Sequence, residues 1–339
     1  MATVQRRSFR ALVGSILAAP ELPRYRGGTR PIYMNVSAHP LHLVERIGRM
    51  TERTGAMFVP LVHDLIPLEL PEYVPTPWIG HHRSRLKTIA AYADGIISNS
   101  TPTTTALRKH IPNLPIATVP LGVGTLAAKS APMHGKPYFV IIGTIEPRKN
   151  HLLLLHVWRR LVKEYGERAP HLMIIGRRGW ENEQVIDILE RCSDLKGHVF
   201  ECGMISDGDM ANLLAGARAL LMPSFAEGYG LPVVEALAMG GPVICSDIEA
   251  HREVGKGTPE FLDPLDGIAW MQRIIEYSEK GGEGRTMQLT RLVQWPIPSW
   301  NAHIATVLDF VARINPRRPV RCSYWSRRML TSSVNIQST

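Results

Sequence analysis

Residues 223–247 read PSFAEGYGLPVVEALAMGGPVICSD, and the rest of the chain is organised around them. Glu227 stands in a glycine-rich turn, a helix is predicted to start directly after it, and Glu235 falls about one turn into that helix. Gly228 and Gly230 allow a tight turn and a close approach of backbone to a ligand. Pro232 suits a first helical turn, where its missing N–H costs nothing. The free amides and positive end of such a helix form a site for an anion. A diphosphate above the turn, with two carboxylates beside it to hold hydroxyl groups, is the arrangement these residue types favour.

Outward from this stretch the pattern alternates between short apolar strands and helices. Before it come strands at 138–143 (YFVIIG), 171–176 (HLMIIG), 198–201 and 219–223, with helices expected at 150–165, 183–192 and 207–217. After it come a strand at 242–245 and helices at 268–277 and 302–314. The first half has the same rhythm: strands at 31–36, 57–63 (MFVPLVH), 95–99 and 116–119, and helices at 41–54, 81–92 and from Ser100 or Thr101 through Lys109. The segment DLIPLELPEY at 64–73 is expected to be a turn. Strand–helix–strand order of this kind implies parallel sheets covered on both faces. Ligands of such sheets bind at the carboxyl ends of the strands. The loops after Gly143 and after Pro223 both fall there.

At 339 residues the chain exceeds one core, so two domains are expected. The divisions are a basic segment over 1–30, a first domain over 31–121, a linker over 122–136, a second domain over 137–315 and a basic tail over 316–339. Apolar residues make up 45% and charged residues 20%, which excludes a disordered chain, and the longest apolar runs are too short to span a membrane. The cysteines, Cys192, Cys202, Cys245 and Cys322, show no disulfide-like or CxxC spacing, which favours a reducing compartment. The net charge is +9; residues 1–50 and 312–339 carry +6 each, which leaves the body at −3. Arginine at both ends fits an anionic membrane surface, and no nucleic-acid module or aromatic-lined basic groove is present. There is no HExxH, no His/Cys cluster, no Walker-type GK[ST] and no GxGxxG, so neither a metal nor a cofactor is expected. His81 and His82 are expected at a solvated helix start.

Two further motifs complete the reading. GTIEPRKNH, residues 143–151, places Arg148 and Lys149 at a strand end, where cations would neutralise a diphosphate. VHDLIP, residues 62–67, places His63 and Asp64 at a strand end in the first half. Together with Glu227 and Glu235, separated by seven residues in the quoted phrase, these motifs resemble the retaining GT-B glycosyltransferases of family 4, among them mannosyltransferases of bacterial exopolysaccharide synthesis. The resemblance covers residues 31–308 and is strongest over 138–264. It implies two Rossmann-like parallel-sheet domains facing a cleft, the first of them short by two or three strand–helix units and without the family's opening strand and glycine-rich turn.

The resemblance also implies an activity and its residues. A hexose, mannose above all, would pass from GDP-mannose or a UDP-hexose to a hydroxyl of a lipid-linked glycan or polysaccharide, with the anomeric configuration kept and no metal required. Arg148 and Lys149 would reach the donor's diphosphate. Glu227 would contact the transferred sugar and Glu235 the ribose, while the amides of Gly228, Tyr229, Gly230 and Leu231 face sugar and diphosphate. His63 would line the opposite wall beside the sugar. The leaving phosphate would itself take the acceptor's proton. The implied location is the cytoplasm, on the inner face of the membrane. The shortened first domain leaves a second reading, a nucleotide-sugar-binding remnant without turnover.

Overall fold

The computed structural model describes residues 31–124 and 135–314. The basic segments 1–30 and 316–339, Cys322, the membrane contact assigned to the two ends, and most of the 122–136 linker lie outside the described residues.

The first domain has a parallel four-stranded sheet in the order β1-β2-β3-β4, formed by Ile32–Asn35, Met57–Val62, Ile96–Ser98 and Ile116–Thr118. Helices α1 (Val44–Thr54), α2 (Ile66–Glu69), α3 (Thr76–Tyr92) and α4 (Thr101–His110) connect them. The second sheet has six parallel strands in the order β10-β9-β8-β5-β6-β7. These are β5 (Tyr138–Ile142), β6 (His171–Ile175), β7 (Val199–Gly203), β8 (Leu220–Met222), β9 (Val243–Ser246) and β10 (Glu260–Leu262). Its helices are α5 (His151–Tyr165), α6 (Glu183–Arg191), α7 (Asp207–Gly216), α8 (Leu231–Ala238), α9 (Glu249–Gly255), α10 (Gly267–Ser278) and α11 (Glu283–Leu292).

Period-two alternation within each short strand feeds two cores, one on each face of the large sheet. Phe139 and Ile141 of β5 join Leu154, Leu155, Trp158 and Leu161 of α5 on one face, and Tyr138 and Val140 join Val233, Val234 and Leu237 of α8 on the other. Side chains at the helix starts fix several boundaries. Ser100 Oγ accepts from Thr103 N at 3.3 Å at the start of α4, and Asp266 Oδ1 accepts from Ala269 N at 3.0 Å at the start of α10. No helix among the described residues is long and apolar enough to cross a membrane.

Four expectations need correction. Helix α3 starts at Thr76, not at His81, because Pro77 occupies its first turn, where proline is tolerated. His81 and His82 therefore lie within the helix, and His82 Nδ1 bonds Trp78 O at 3.0 Å. The 64–73 turn contains the helical turn α2 and a 3-10 turn, Pro71–Tyr73. Helices α9 and α11 and strand β10 were not anticipated. Lastly, the final helix α12 (Trp300–Arg313) does not serve the second domain's core: Val307 and Val311 pack against Met57, Val59, Leu61 and Ile97 of the first sheet. The second domain thus ends before α12, and the chain crosses back. The crossing is tied by bonds from Val123 N to Pro298 O at 3.1 Å and between His303 Nδ1 and Pro120 O at 2.9 Å.

That return predicts energetic coupling between distant positions. Ile97→Ala should cost about 2–5 kcal/mol in urea unfolding, as buried large-to-small substitutions do. Combined with Val307→Ala, it should depart from additivity by about 0.5 kcal/mol or more, whereas independent sites add.

Candidate functional site

Strands β5 and β8 are neighbours in the sheet, so the loops leaving their carboxyl ends abut. The loop after β5 forms a 3-10 turn, Pro147–Lys149, closed by Asn150 in the left-handed region. Asn150 Nδ2 then bonds Pro223 O at 3.1 Å and Pro264 O at 2.9 Å, fastening this turn to the loop after β8. Phe225 N donates to Arg148 O at 2.9 Å, a second tie between the loops.

The charged side chains converge where the loops meet. Arg148 Nη1 donates to Glu227 Oε2 at 2.8 Å and to Ala226 O at 2.8 Å, while Nη2 reaches Glu146 Oε1 at 2.5 Å. Lys149 Nζ lies 2.6 Å from Glu227 Oε1, which also accepts from Ser224 Oγ at 2.7 Å. The Glu227 side chain is only 7% exposed and that of Lys149 9%. Burial works against ionisation of Glu227, but Lys149 and Arg148 outweigh it and hold the carboxyl well below the usual carboxylate range. Burial likewise works against the Arg148 cation, yet Glu227 and Glu146 together raise its pKa.

The turn itself is shaped by contact with the first domain. A Cβ on Gly228 would stand 2.5 Å from His63 O and 2.9 Å from Asp64 Cβ, so only glycine permits this approach. Ser100 Oγ donates to Gly228 O at 2.5 Å. Gly230 has φ +90°, and His251 lies beneath it, with Nε2 3.7 Å from where a Cβ would be. His251 is fully buried, and its Nδ1 bonds Ser246 O at 2.9 Å. Burial holds this imidazole below its usual pKa, so the neutral ring donates from Nδ1 and keeps an unpartnered lone pair at Nε2.

The sequence-predicted residues therefore fall into three groups. Glu227, Arg148 and Lys149 form one ion cluster, and Glu227 spends its carboxylate on the two cations. Glu235 stands apart on α8; burial and then Asp207 raise its pKa. His63 faces the turn through its backbone carbonyl, and its ring Nε2 bonds Val36 O at 3.0 Å. The Tyr229 side chain points inward, with its hydroxyl donating to Leu121 O at 2.9 Å, so only its backbone remains for a ligand. Leu231 opens α8 half-exposed.

Four contributors were missed. Glu146 lies inside the quoted GTIEPRKNH motif and Ser224 inside the opening phrase, so both were in view. His251 and Glu253 carried no such signal. Glu253 accepts from Thr101 N at 2.8 Å and from Thr101 Oγ1 at 2.9 Å, joining the start of α4 to the second domain.

Residues 124–259 match the family described as glycosyl transferases group 1. The chain is similar to O-antigen chain mannosyltransferase B of Escherichia coli, 38% identical over 139 residues, covering 41% of this chain and 36% of that protein. It is also 31% identical over 237 residues to the serotype-specific mannosyltransferase WbdA of Escherichia coli, covering 63% of this chain and 29% of that protein. The chain thus spans about a third of the length of these curated relatives. Among solved structures it resembles Anabaena HepE in complex with UDP, with a TM-score of 0.63 at 14% identity, covering 83% of this chain and 79% of that one. This likeness shows the fold, that of the GT-B glycosyltransferases.

The two glutamates should respond oppositely to pH. Glu227 has a depressed folded pKa, so its contribution is present above the ordinary carboxylate value, about 4.3, and is lost as pH falls further. Glu227→Gln should cost about 3 kcal/mol near neutrality, as for a broken buried ion pair, with the difference from wild type shrinking in acid. Glu235 has a raised folded pKa and costs stability as pH rises through the carboxylate range. Glu235→Gln should therefore be more stable than wild type at neutral pH and equal to it below about pH 4. Chemical denaturation across pH reads both differences.

Proposed function

We propose that this chain, whose residues 124–259 are a glycosyl transferases group 1 domain, transfers a hexose from a nucleotide diphosphate sugar to a hydroxyl of a lipid-linked glycan or polysaccharide. The observation that carries the reading is the cluster of Arg148, Lys149 and Glu227 beside the glycine-rich turn that opens α8. The buried Lys149 and the part-buried Arg148, both paired with Glu227 while Arg148 also meets Glu146, form a site that a diphosphate can enter by taking Glu227's place. Glu227 is then released to accept hydrogen bonds from sugar hydroxyls. The amides of the Gly228–Leu231 turn supply further positive potential. As the glycosidic bond breaks, charge grows on the leaving diphosphate, and fixed cations in a water-poor site stabilise it.

The remaining roles follow from position. Glu235, four residues beyond the opening of α8 and with a carboxylate that has no hydrogen-bond partner among the described residues, holds the ribose hydroxyls. His63 donates from Nε2 to Val36 O, which leaves Nδ1 as an acceptor beside the transferred sugar. The sugar is mannose, carried by GDP-mannose or otherwise a UDP-hexose, and the anomeric configuration is retained, with the leaving phosphate taking the acceptor's proton. Similarity to mannosyltransferases supports the choice of sugar. No metal or further cofactor takes part in this proposal. The protein acts at the inner face of the membrane, where lipid-linked acceptors present their glycans.

The test is incubation of the full chain with labelled GDP-mannose and UDP-hexoses in the presence of bacterial membrane lipid, with NMR of the product's anomeric centre. Transfer with retention is the expected result. Binding of a sugar nucleotide without turnover would support the remnant reading, and absence of both binding and turnover would overturn the proposal. Lys149→Ala should lower kcat/KM by about 10²–10³, the scale for removing one preorganised charge-stabilising donor.

A further inference from the structure

A cavity of about 280 Å³ opens to solvent beside the amino ends of β9 and β10, lined by residues that include Lys256, Gly257, Arg291, Gln294, Trp295 and Pro296. Gln288 of α11 secures this edge by accepting from Val243 N at 3.1 Å at the start of β9 and donating to Thr258 O at 3.1 Å just before β10. The cluster of Arg148, Lys149 and Glu227 lies at the opposite, carboxyl edge of the sheet. Arg291 Nη2 donates to Glu260 Oε1 at 2.6 Å and to Thr258 O at 3.2 Å, and its Nη1 has no hydrogen bond among the described residues. Glu260 is shared with Arg273 Nη2 at 3.7 Å, and Arg273 also pairs with Glu276. Those four charges cancel. Lys256 is exposed and has no ion pair among the described residues, so it leaves the cavity with one net positive charge. Its φ is +48°, in the left-handed region that a residue with a Cβ occupies only at a cost.

The rim of this cationic cavity is apolar. Gln294, Trp295 and Pro296 line the cavity, whereas Val293 and Ile297 on either side of them are 86% and 61% exposed. Trp295 is buried, with Nε1 donating to Val254 O at 2.9 Å, so its ring gives the cavity an apolar wall. Directly beyond this segment α12 begins, and Trp300, Ile304 and Leu308 form an exposed stripe beside the face that Val307 and Val311 bury. Of the fifteen large apolar side chains exposed among the described residues, five fall within residues 293–308. Such clustering marks an interaction surface, which singly scattered residues do not. The sequence then continues from α12 into residues 315–339, which hold five arginines and no acidic residue.

We infer that the cavity and its rim dock the protein on an anionic membrane, with the phosphodiester of a lipid headgroup held by Lys256 and Arg291 and with Val293 and Ile297 entering the acyl boundary. One net positive charge matches the single negative charge of a phosphodiester. Inorganic phosphate carries more charge at neutral pH and leaves the apolar rim in water. One water needs about 10–15 Å³ on this measure, so the cavity holds a phosphate together with the glycerol carbons next to it. Cations combined with exposed apolar side chains are what attach a surface to a membrane that no helix crosses. The site goes beyond sugar transfer, since it stands apart from the donor cluster. It adds a folded element to the membrane contact assigned to the arginine-rich ends.

The test is co-sedimentation of the full chain with vesicles of phosphatidylcholine alone, or of phosphatidylcholine with an equal amount of phosphatidylglycerol, at fixed ionic strength. Wild type should sediment with the anionic vesicles and stay free of the neutral ones. Lys256→Gln should weaken binding about fivefold, the worth of one cation near an anionic surface. Val293→Asp should weaken it about tenfold, the scale of one apolar side chain kept in water. Lys163→Gln removes the same charge from an exposed position on α5 and should leave binding unchanged. Thermal melting confirms that the three variants are folded, and calorimetry with sugar nucleotides, which none of them should alter, reads the donor cluster separately. Equal losses from Lys256→Gln and Lys163→Gln, wild-type binding by Val293→Asp, or no sedimentation of wild type with anionic vesicles would each overturn the docking site. Release of wild type from the vesicles by inorganic phosphate at constant ionic strength would assign the cavity to a free anion and overturn it as well.

Discussion

The carboxylate of Glu227, buried against Arg148 and Lys149, is the interaction on which the second domain's functional edge depends. A charge this deep requires matched partners, because the desolvation of an unpaired ion is not recovered elsewhere. Its partners lie nearly eighty residues away in sequence, so the pairing is possible only because β8 docks beside β5. The sheet order thus has a direct chemical consequence. It sets the loop carrying the cations against the loop carrying the carboxylate, and Asn150 and Phe225 lock the two backbones together. Glu227 occupies the position that an anionic ligand group would seek.

A second constraint acts between the domains. Each sheet has its own cores, and what joins the domains is mostly polar: Ser100 to Gly228, Thr101 to Glu253, Tyr229 to Leu121, and Trp180 Nε1 to Tyr73 O at 3.1 Å. The Tyr73 and Phe225 rings stack at 5.5 Å, nearly parallel. Such contacts separate at far lower cost than an apolar core. The chain also crosses between domains twice, once after β4 and once before α12, and the two crossings are bonded to each other near Pro120 and Pro298.

Much of this was readable in the residues, and the failures have physical causes. Buried parallel strands are short apolar runs, and all four of the first domain were placed within a residue or two. The helix expected at 81–92 starts earlier, at Thr76, because Pro77 is compatible with a first helical turn. Helical periodicity at 302–314 disclosed an apolar stripe on α12 but not which sheet would cover it, since both sheets offer an apolar face. The Glu227 ion cluster was half legible. Both motifs were found, but a motif gives residue types, and the resting pairing of its charges appears only when the loops are brought together.

In the proposed reaction, the closed contact at Gly228 also sets the order of ligand entry. His63 O and Asp64 Cβ approach the turn too closely for any atom of a sugar to pass between them, so a ligand bridging the two walls must part them. Parting them breaks the bond from Ser100 to Gly228 and exposes the carbonyl of the glycine turn to solvent or to substrate. A diphosphate that takes Arg148 and Lys149 from Glu227 supplies opposite charge at the same place and frees a carboxylate close to the opened wall. In the proposed reaction, charge exchange in one domain and separation of the two domains would be coupled through three adjacent residues, Glu227, Gly228 and Tyr229. The first supplies the carboxylate, the second the close approach, and the third the tie to Leu121.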